Sequence, residues 1–179
     1  MQSLALADRL TLRDHDGPAD EVRCPGVDGP NLCGAAIAAF RDATGWDGPP
    51  QLVEIDKHVP VAAGMGGGSG DAAATLRLLA IRSGIADPAL ELELATALGA
   101  DVPGQLRPGR VLATGAGEHV VRLPDPHPFG VLILPSRERL STAAVYAEAD
   151  RMGLPRDPAA LATVDPIARP EYVNELEPA

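Results

Sequence analysis

The stretch PVAAGMGGGSGDAAATLRLL, residues 60–79, decides how this chain is read. Gly64, Gly66, Gly67, Gly68 and Gly70 surround a single serine, Ser69, and an acid, Asp71, opens an Ala/Leu-rich pattern of helical spacing. Glycine carries no Cβ, so such a run takes up backbone angles closed to other residues and lets its N–H groups approach an anion closely. A helix beginning directly afterwards adds unpaired N–H groups and the positive end of its dipole. Loop and helix start together make a phosphate cradle. A flexible linker would be followed by polar sequence, whereas residues 71–82 predict a compact helix.

Three common loops do not fit. A Walker A loop needs Lys and Ser/Thr after its last glycine, and Gly70 is followed by Asp71 and Ala72. A dinucleotide fingerprint needs a glycine at its sixth position; counting from Gly64 that position is Ser69, and from Gly66 it is Asp71. A nucleophile elbow needs glycines two residues either side of the serine, and Asp71 stands where the second should be.

Outside the loop, composition narrows the function classes. The chain has 179 residues, enough to bury a real core as one domain or one and a part. A formal charge of −10 opposes an electrostatic grip on nucleic acid or anionic lipid, and 3% aromatic residues leave no base-stacking surface. Of the 15 basic residues only Lys57 is a lysine. The two cysteines, Cys24 and Cys33, read as reduced thiols, and the four histidines lack the spacing of a zinc hydrolase. No run reaches membrane-spanning length and no signal peptide opens the chain, so the expected location is cytoplasmic.

Periodicity predicts a strand within 3–13, whose end alternates Leu10 and Leu12 with Arg9, Thr11 and Arg13, and a short strand over 21–24. A helix over 31–44 stops at Gly45, and a strand over 51–58 leads into the glycine loop. Helices over 71–83 and 88–98 follow, the second capped by Asp87. Short strands over 110–113 and 119–123 flank a GAGE turn, and the proline-rich 124–128 marks a boundary. Beyond it the pattern predicts a buried strand over 129–134, a helix over 141–152 and a short helix over 172–177.

A phosphate loop needs a base or a charge beside the transferred group. Asp101 lies between Gly99 and Pro103, after a helix, where no core periodicity explains an acid. It could accept the proton of an attacking hydroxyl, or simply cap its own turn. Spacing alone leaves the two level.

The segment IDKHVPVAAGMGGGSGDAAATLRLL closely resembles the central motif of the GHMP-type kinases, in the form seen in 4-diphosphocytidyl-2-C-methyl-D-erythritol kinases. That motif is a Lys-x-hydrophobic-Pro lead followed by G-L-G-G-G-S-S-D-A-A. Asn31-Leu32 is similar to the family's Asn-Leu segment, LGADVP at 98–103 to its catalytic aspartate box, and GAGE at 115–118 to its G-x-G-E turn. STAAVY at 141–146 resembles its Ser-Thr-Ala helix, and NELEPA at 174–179 its Asn-Asp-Leu-Glu segment.

The resemblance implies a two-layer α/β fold. Residues 1–124 would form most of a ribosomal-protein-S5-like ATP-binding domain, and 125–179 the beginning of a ferredoxin-like one. It implies transfer of the ATP γ-phosphate, with Mg²⁺, to the 2-hydroxyl of 4-CDP-2-C-methyl-D-erythritol in non-mevalonate isoprenoid synthesis. Pro60, Val61, Ala62, Ala63, Gly64, Met65, Gly66, Gly67, Gly68, Ser69 and Gly70 would be the ATP loop, Asp101 the base, and Asn31 and Lys57 positions near the nucleotide. Monomer and homodimer both stay open. Homoserine, galactose or mevalonate kinases fit the motifs less well, and a non-catalytic nucleotide-binding module is the reading from another class.

Departures from the pattern accompany the match. Gly70 stands where the family usually has a second Ser, removing a hydroxyl near the phosphates or Mg²⁺, a loss of ~1 kcal/mol if one hydrogen bond goes with it. The family's N-terminal Lys-x-Asn-Leu and Asp-Gly-Tyr-His motifs and its late Ser-Gly-Ser-Gly loop have no counterpart in the sequence. Lys57 stands at a different motif position from the family's N-terminal lysine and is no replacement for it. A fragmentary gene model, a degenerate gene and a non-catalytic descendant compete as explanations. The first, an incomplete copy, is favoured, with an open sheet edge, weak nucleotide binding and little turnover expected.

Overall fold

In the computed structural model, which describes residues 1–134, 141–154, 176 and 178, the alternation around Leu10 and Leu12 becomes strand β1 (Arg9–Asp14). β1 runs antiparallel to β3 (Gln51–Asp56), placing Leu10 opposite Ile55 and Leu12 opposite Val53. On the other side of β3 lies the parallel β2 (Glu21–Arg23), giving the order β1-β3-β2. The central position explains why β3 alternates poorly: Gln51, Leu52, Val53 and Ile55 are all buried, as expected of a strand covered on both faces.

The strand over 3–13 is shorter than its sequence suggested. Its first residues belong elsewhere: Ser3 N donates to Gly109 O (3.0 Å), and Val111 N donates to Met1 O (3.0 Å). Gln2 thereby bridges Arg110, on the hairpin of β4 (Arg110–Thr114) and β5 (His119–Leu123).

Helix α1 (Leu32–Thr44) starts where Asn31 accepts from Cys33 N and stops at Gly45, whose φ of 66° only glycine adopts cheaply. It buries Cys33, Ala36, Ile37 and Phe40 against Leu76 and Leu79 of α2 (Gly67–Ser83), over the sheet face carried by Val53 and Ile55. Helix α3 (Pro88–Leu98), capped by Asp87 as anticipated, adds Leu94 and Ala95. Each large apolar side chain buried here contributes about 1.5–3 kcal/mol. The result is the mixed α/β arrangement that the sequence implied.

Two expectations need correction. α2 begins at Gly67, not Asp71. Gly66 adopts a left-handed φ of 67°, turning the chain so that Gly70 N already reaches Gly66 O at 2.9 Å. Gly67, Gly68, Ser69 and Gly70 are therefore the first turn of a helix rather than loop. The strand over 129–134 does not form: Phe129, Leu132 and Leu134 are exposed, and no neighbouring strand among the described residues offers its backbone a partner.

The chain divides into two units, Met1–Val131 and Leu132–Ala179. In the second, α5 (Thr142–Met152) is capped by Ser141 and ends at Gly153. The helix expected over 172–177 and most of the NELEPA segment lie outside the described residues. Among the described residues no helix is long and apolar enough to cross a membrane.

Candidate active site

The end of β3, the start of β1 and the first turns of α2 meet at one buried ammonium. Lys57 Nζ lies 2.5 Å from Asp8 Oδ2 and 2.9 Å from Asp71 Oδ2. The Asp8 side chain is 3% exposed, that of Asp71 6% and that of Lys57 14%, so the ion cluster is mostly buried beneath the cavity walls. Asp8 Oδ1 also accepts from His58 N (2.6 Å) and Val59 N (2.8 Å), fixing the turn after β3.

Burial opposes ionisation of all three, and their contacts decide the outcome. At Asp8 the Lys57 ammonium and two backbone N–H groups outweigh burial and hold the carboxyl below its ordinary range. Burial pushes Lys57 down, but its two carboxylate partners more than reverse this and raise it. Asp71 has only Lys57 to offset its burial and a second carboxylate nearby, and its pKa is raised.

Directly above the cluster the backbone comes close. A Cβ on Gly67 would lie 3.2 Å from Lys57 Nζ and 3.2 Å from Val59 Cγ1, so the ammonium sits under the first residue of α2. No side chain caps that helix. The N–H groups of Gly67, Gly68 and Ser69 are left without intrahelical partners, the donor set a phosphate needs. Ser69 brings its hydroxyl to the same turn.

This turn separates two cavities. The smaller, about 280 Å³, is lined by Asn31, Lys57, Asp71 and the segment 60–69, from Pro60, Val61, Ala62 and Ala63 to Gly68 and Ser69. The larger, about 490 Å³, holds Asp101, Gln105, Arg77 and Gly70. Gly64, Met65, Gly66, Gly67 and Asp71 line both.

Asp101 stands immediately before the short helix α4 (Val102–Gln105), yet its side chain makes no capping hydrogen bond. It has no ion pair among the described residues either, and it is exposed in the larger cavity, with Oδ2 4.0 Å from where a Gly66 Cβ would be. The turn-capping alternative thus loses its physical basis. Asn31, by contrast, spends its Oδ1 on Cys33 N (2.9 Å) and lines the smaller cavity.

Three participants escaped the sequence reading. Asp8 left a signal: it is in phase with Leu10 and Leu12, an acid at an inward position of the alternation. Arg77 and Gln105 left none, because their roles are hydrogen bonds to backbone carbonyls of distant segments. Cys24 and Cys33 are free thiols, and burial pushes Cys33 up to about 11. Among the described residues no cluster of His, Cys, Asp and Glu is arranged to hold a metal by itself.

Comparison with known proteins bears on this geometry. The sequence profile of the GHMP kinases N terminal domain matches residues 31–108. A 4-diphosphocytidyl-2-C-methyl-D-erythritol kinase from Saccharopolyspora erythraea is 37% identical over 99% of this chain and 54% of its own length. Another from Anaeromyxobacter sp. (strain K) is 41% identical over 80% of this chain and 47% of its own. A crystal structure of 4-(cytidine 5'-diphospho)-2C-methyl-D-erythritol kinase superposes with a TM-score of 0.64 at 30% identity, covering 97% of this chain and 63% of that one. The chain spans about half the length of the curated relatives it matches.

Proposed function

We propose that this chain, whose residues 31–108 are a GHMP kinase N-terminal domain, transfers the γ-phosphoryl group of ATP to the 2-hydroxyl of 4-CDP-2-C-methyl-D-erythritol, a step of non-mevalonate isoprenoid synthesis. The observation that carries the reading is the Asp101 carboxylate, without a partner among the described residues and facing the glycine turn across one cavity. The name shared by the relatives and the solved structure supports the choice of acceptor.

On this reading the N–H groups of Gly67, Gly68 and Ser69 hold the transferred phosphate, and the dipole of α2 offsets its charge. Asp101 accepts the proton of the acceptor hydroxyl as that oxygen bonds to the γ-phosphorus. The bond from phosphorus to the bridging oxygen breaks, and ADP leaves. Asn31 and Lys57 flank the nucleotide side of the turn, in the smaller cavity.

Mg²⁺ asks for few protein ligands and takes the rest from phosphate oxygens and water, and the Ser69 hydroxyl, which lines the smaller cavity, fits that requirement. When bound, the ion neutralises charge on the phosphates. Asp71 is committed to Lys57.

Incubation of the protein with γ-labelled ATP, Mg²⁺ and 4-CDP-2-C-methyl-D-erythritol tests the reading, with ADP binding measured in parallel. We expect weak ADP binding by both proteins, and a low level of labelled product from the native chain that falls about 10²–10⁴-fold in Asp101→Asn. Transfer by Asp101→Asn at the native rate sinks the assignment of the base, and absence of nucleotide binding sinks the kinase.

A further inference from the structure

The carboxamide of Gln105 lies against two glycines of the phosphate turn. Its Nε2 donates to Gly66 O at 3.0 Å, the same carbonyl that accepts from Gly70 N. A Cβ on Gly66 would lie 2.8 Å from Gln105 Nε2, and one on Gly70 3.1 Å from Gln105 Oε1. The same amide thus crowds a side chain at either position.

Gln105 is four residues after Asp101, one helical turn along α4, so the two side chains share a face, and both approach Gly66. The backbone of that turn is pinned as well: Arg77, half-buried on α2, sends one guanidinium nitrogen to Gln105 O (2.9 Å) and Leu106 O (3.0 Å). Two links therefore run between the element that carries the base and the element that carries the phosphate donors. Only the Gln105 side chain reaches the turn itself.

We propose that Gln105 is a positioning residue that fixes the distance between Asp101 and the phosphate turn, and that position 70 is glycine because the Gln105 amide fills the space a side chain would need. A serine at position 70 strains the clamp, since its Cβ would lie 3.1 Å from Gln105 Oε1 and the amide must shift by a few tenths of an ångström to admit it. The clamp itself stands on geometry. Its consequence for rate rests on the kinase reading.

A double-mutant cycle over Gly70→Ser and Gln105→Ala decides the matter, read by melting temperature and by the split between kcat and KM for ATP. Gln105→Ala should lower kcat about tenfold or more, because small misplacements of a reacting group are costly, and change KM for ATP by less than about threefold. Gly70→Ser should lower kcat to a similar extent. The double variant should be no worse than either single one. In melting temperature Gly70→Ser should be better tolerated in the Gln105→Ala background than alone. Additive shifts in melting temperature overturn the clamp, and an unchanged kcat in Gln105→Ala overturns its positioning role. If the native chain shows no transfer, the kinase reading fails, while the melting temperatures still confirm or overturn the clamp.

Discussion

Lys57 Nζ lies 2.9 Å from Asp71 Oδ2, joining the end of the central strand to the helix whose first turn is the proposed phosphate cradle. Asp8 closes the cluster from the edge strand at 2.5 Å. The cradle is thus held from below by charge and from the side by the Gln105 amide.

Removing the ammonium should be severe. Lys57→Met leaves Asp8 and Asp71 as neighbouring buried carboxylates, and breaking a buried ion pair from one side costs about 3–5 kcal/mol. Urea denaturation of the two proteins measures the difference. A loss below about 1 kcal/mol, the value of an exposed pair, contradicts the buried cluster.

The same cluster sets a pH signature. The folded-state pKa of Lys57 is raised above the ordinary lysine value of 10.5, so its contribution is complete below that pH and is lost as pH rises through the folded value. Asp8 behaves oppositely: its pKa is lowered from 3.8, so its contribution is present above 3.8 and fades as pH falls below it. The stability difference between the native chain and Lys57→Met should stay level through neutral pH and shrink above 10.5. A difference that shrinks as pH rises from neutrality to 10.5 contradicts the assignment.

Asp101→Asn keeps the shape and removes the proposed base. Transfer should fall about 10²–10⁴-fold, the usual contribution of a positioned base, with ADP affinity nearly unchanged. Calorimetric titration beside the labelled-phosphate assay separates the two quantities, and a parallel loss of affinity assigns Asp101 to binding instead.

Gly66→Ala meets two obstacles. The left-handed φ of 67° costs a residue with a Cβ about 1–2 kcal/mol, and the new methyl, 2.8 Å from Gln105 Nε2, would push that amide off the Gly66 carbonyl. Nucleotide affinity should drop with stability. An Ala variant that binds ADP like the native chain shows that the cradle tolerates another backbone path.

Much of this arrangement is legible in local pattern. Asn31, Gly45, Asp87 and Gly99 bracket helices because caps act within a few residues, and Leu10 and Leu12 announce β1 through strict alternation. The start of α2 is not, because helix propensity ranks glycine low, and a turn nucleated by a left-handed Gly66 does not register as propensity. Residues 129–134 are apolar enough for a strand, yet strands form only with partners, which periodicity cannot supply. The Gln105 clamp is invisible for a related reason: it joins residues 39 apart through a carbonyl, and carbonyls carry no sequence signature.

A peptide backbone is electrically even-handed, offering one acceptor for nearly every donor, so a bare glycine turn should attract cations as readily as anions. Here the balance is broken at Gly66, whose carbonyl is engaged twice, by Gly70 N and by Gln105 Nε2. The carbonyls of the next three residues are spent inside α2 while their N–H groups are not, so with the Gly66 oxygen also engaged the turn is left with donors in surplus. The turn acquires its sign from where its oxygen is hidden.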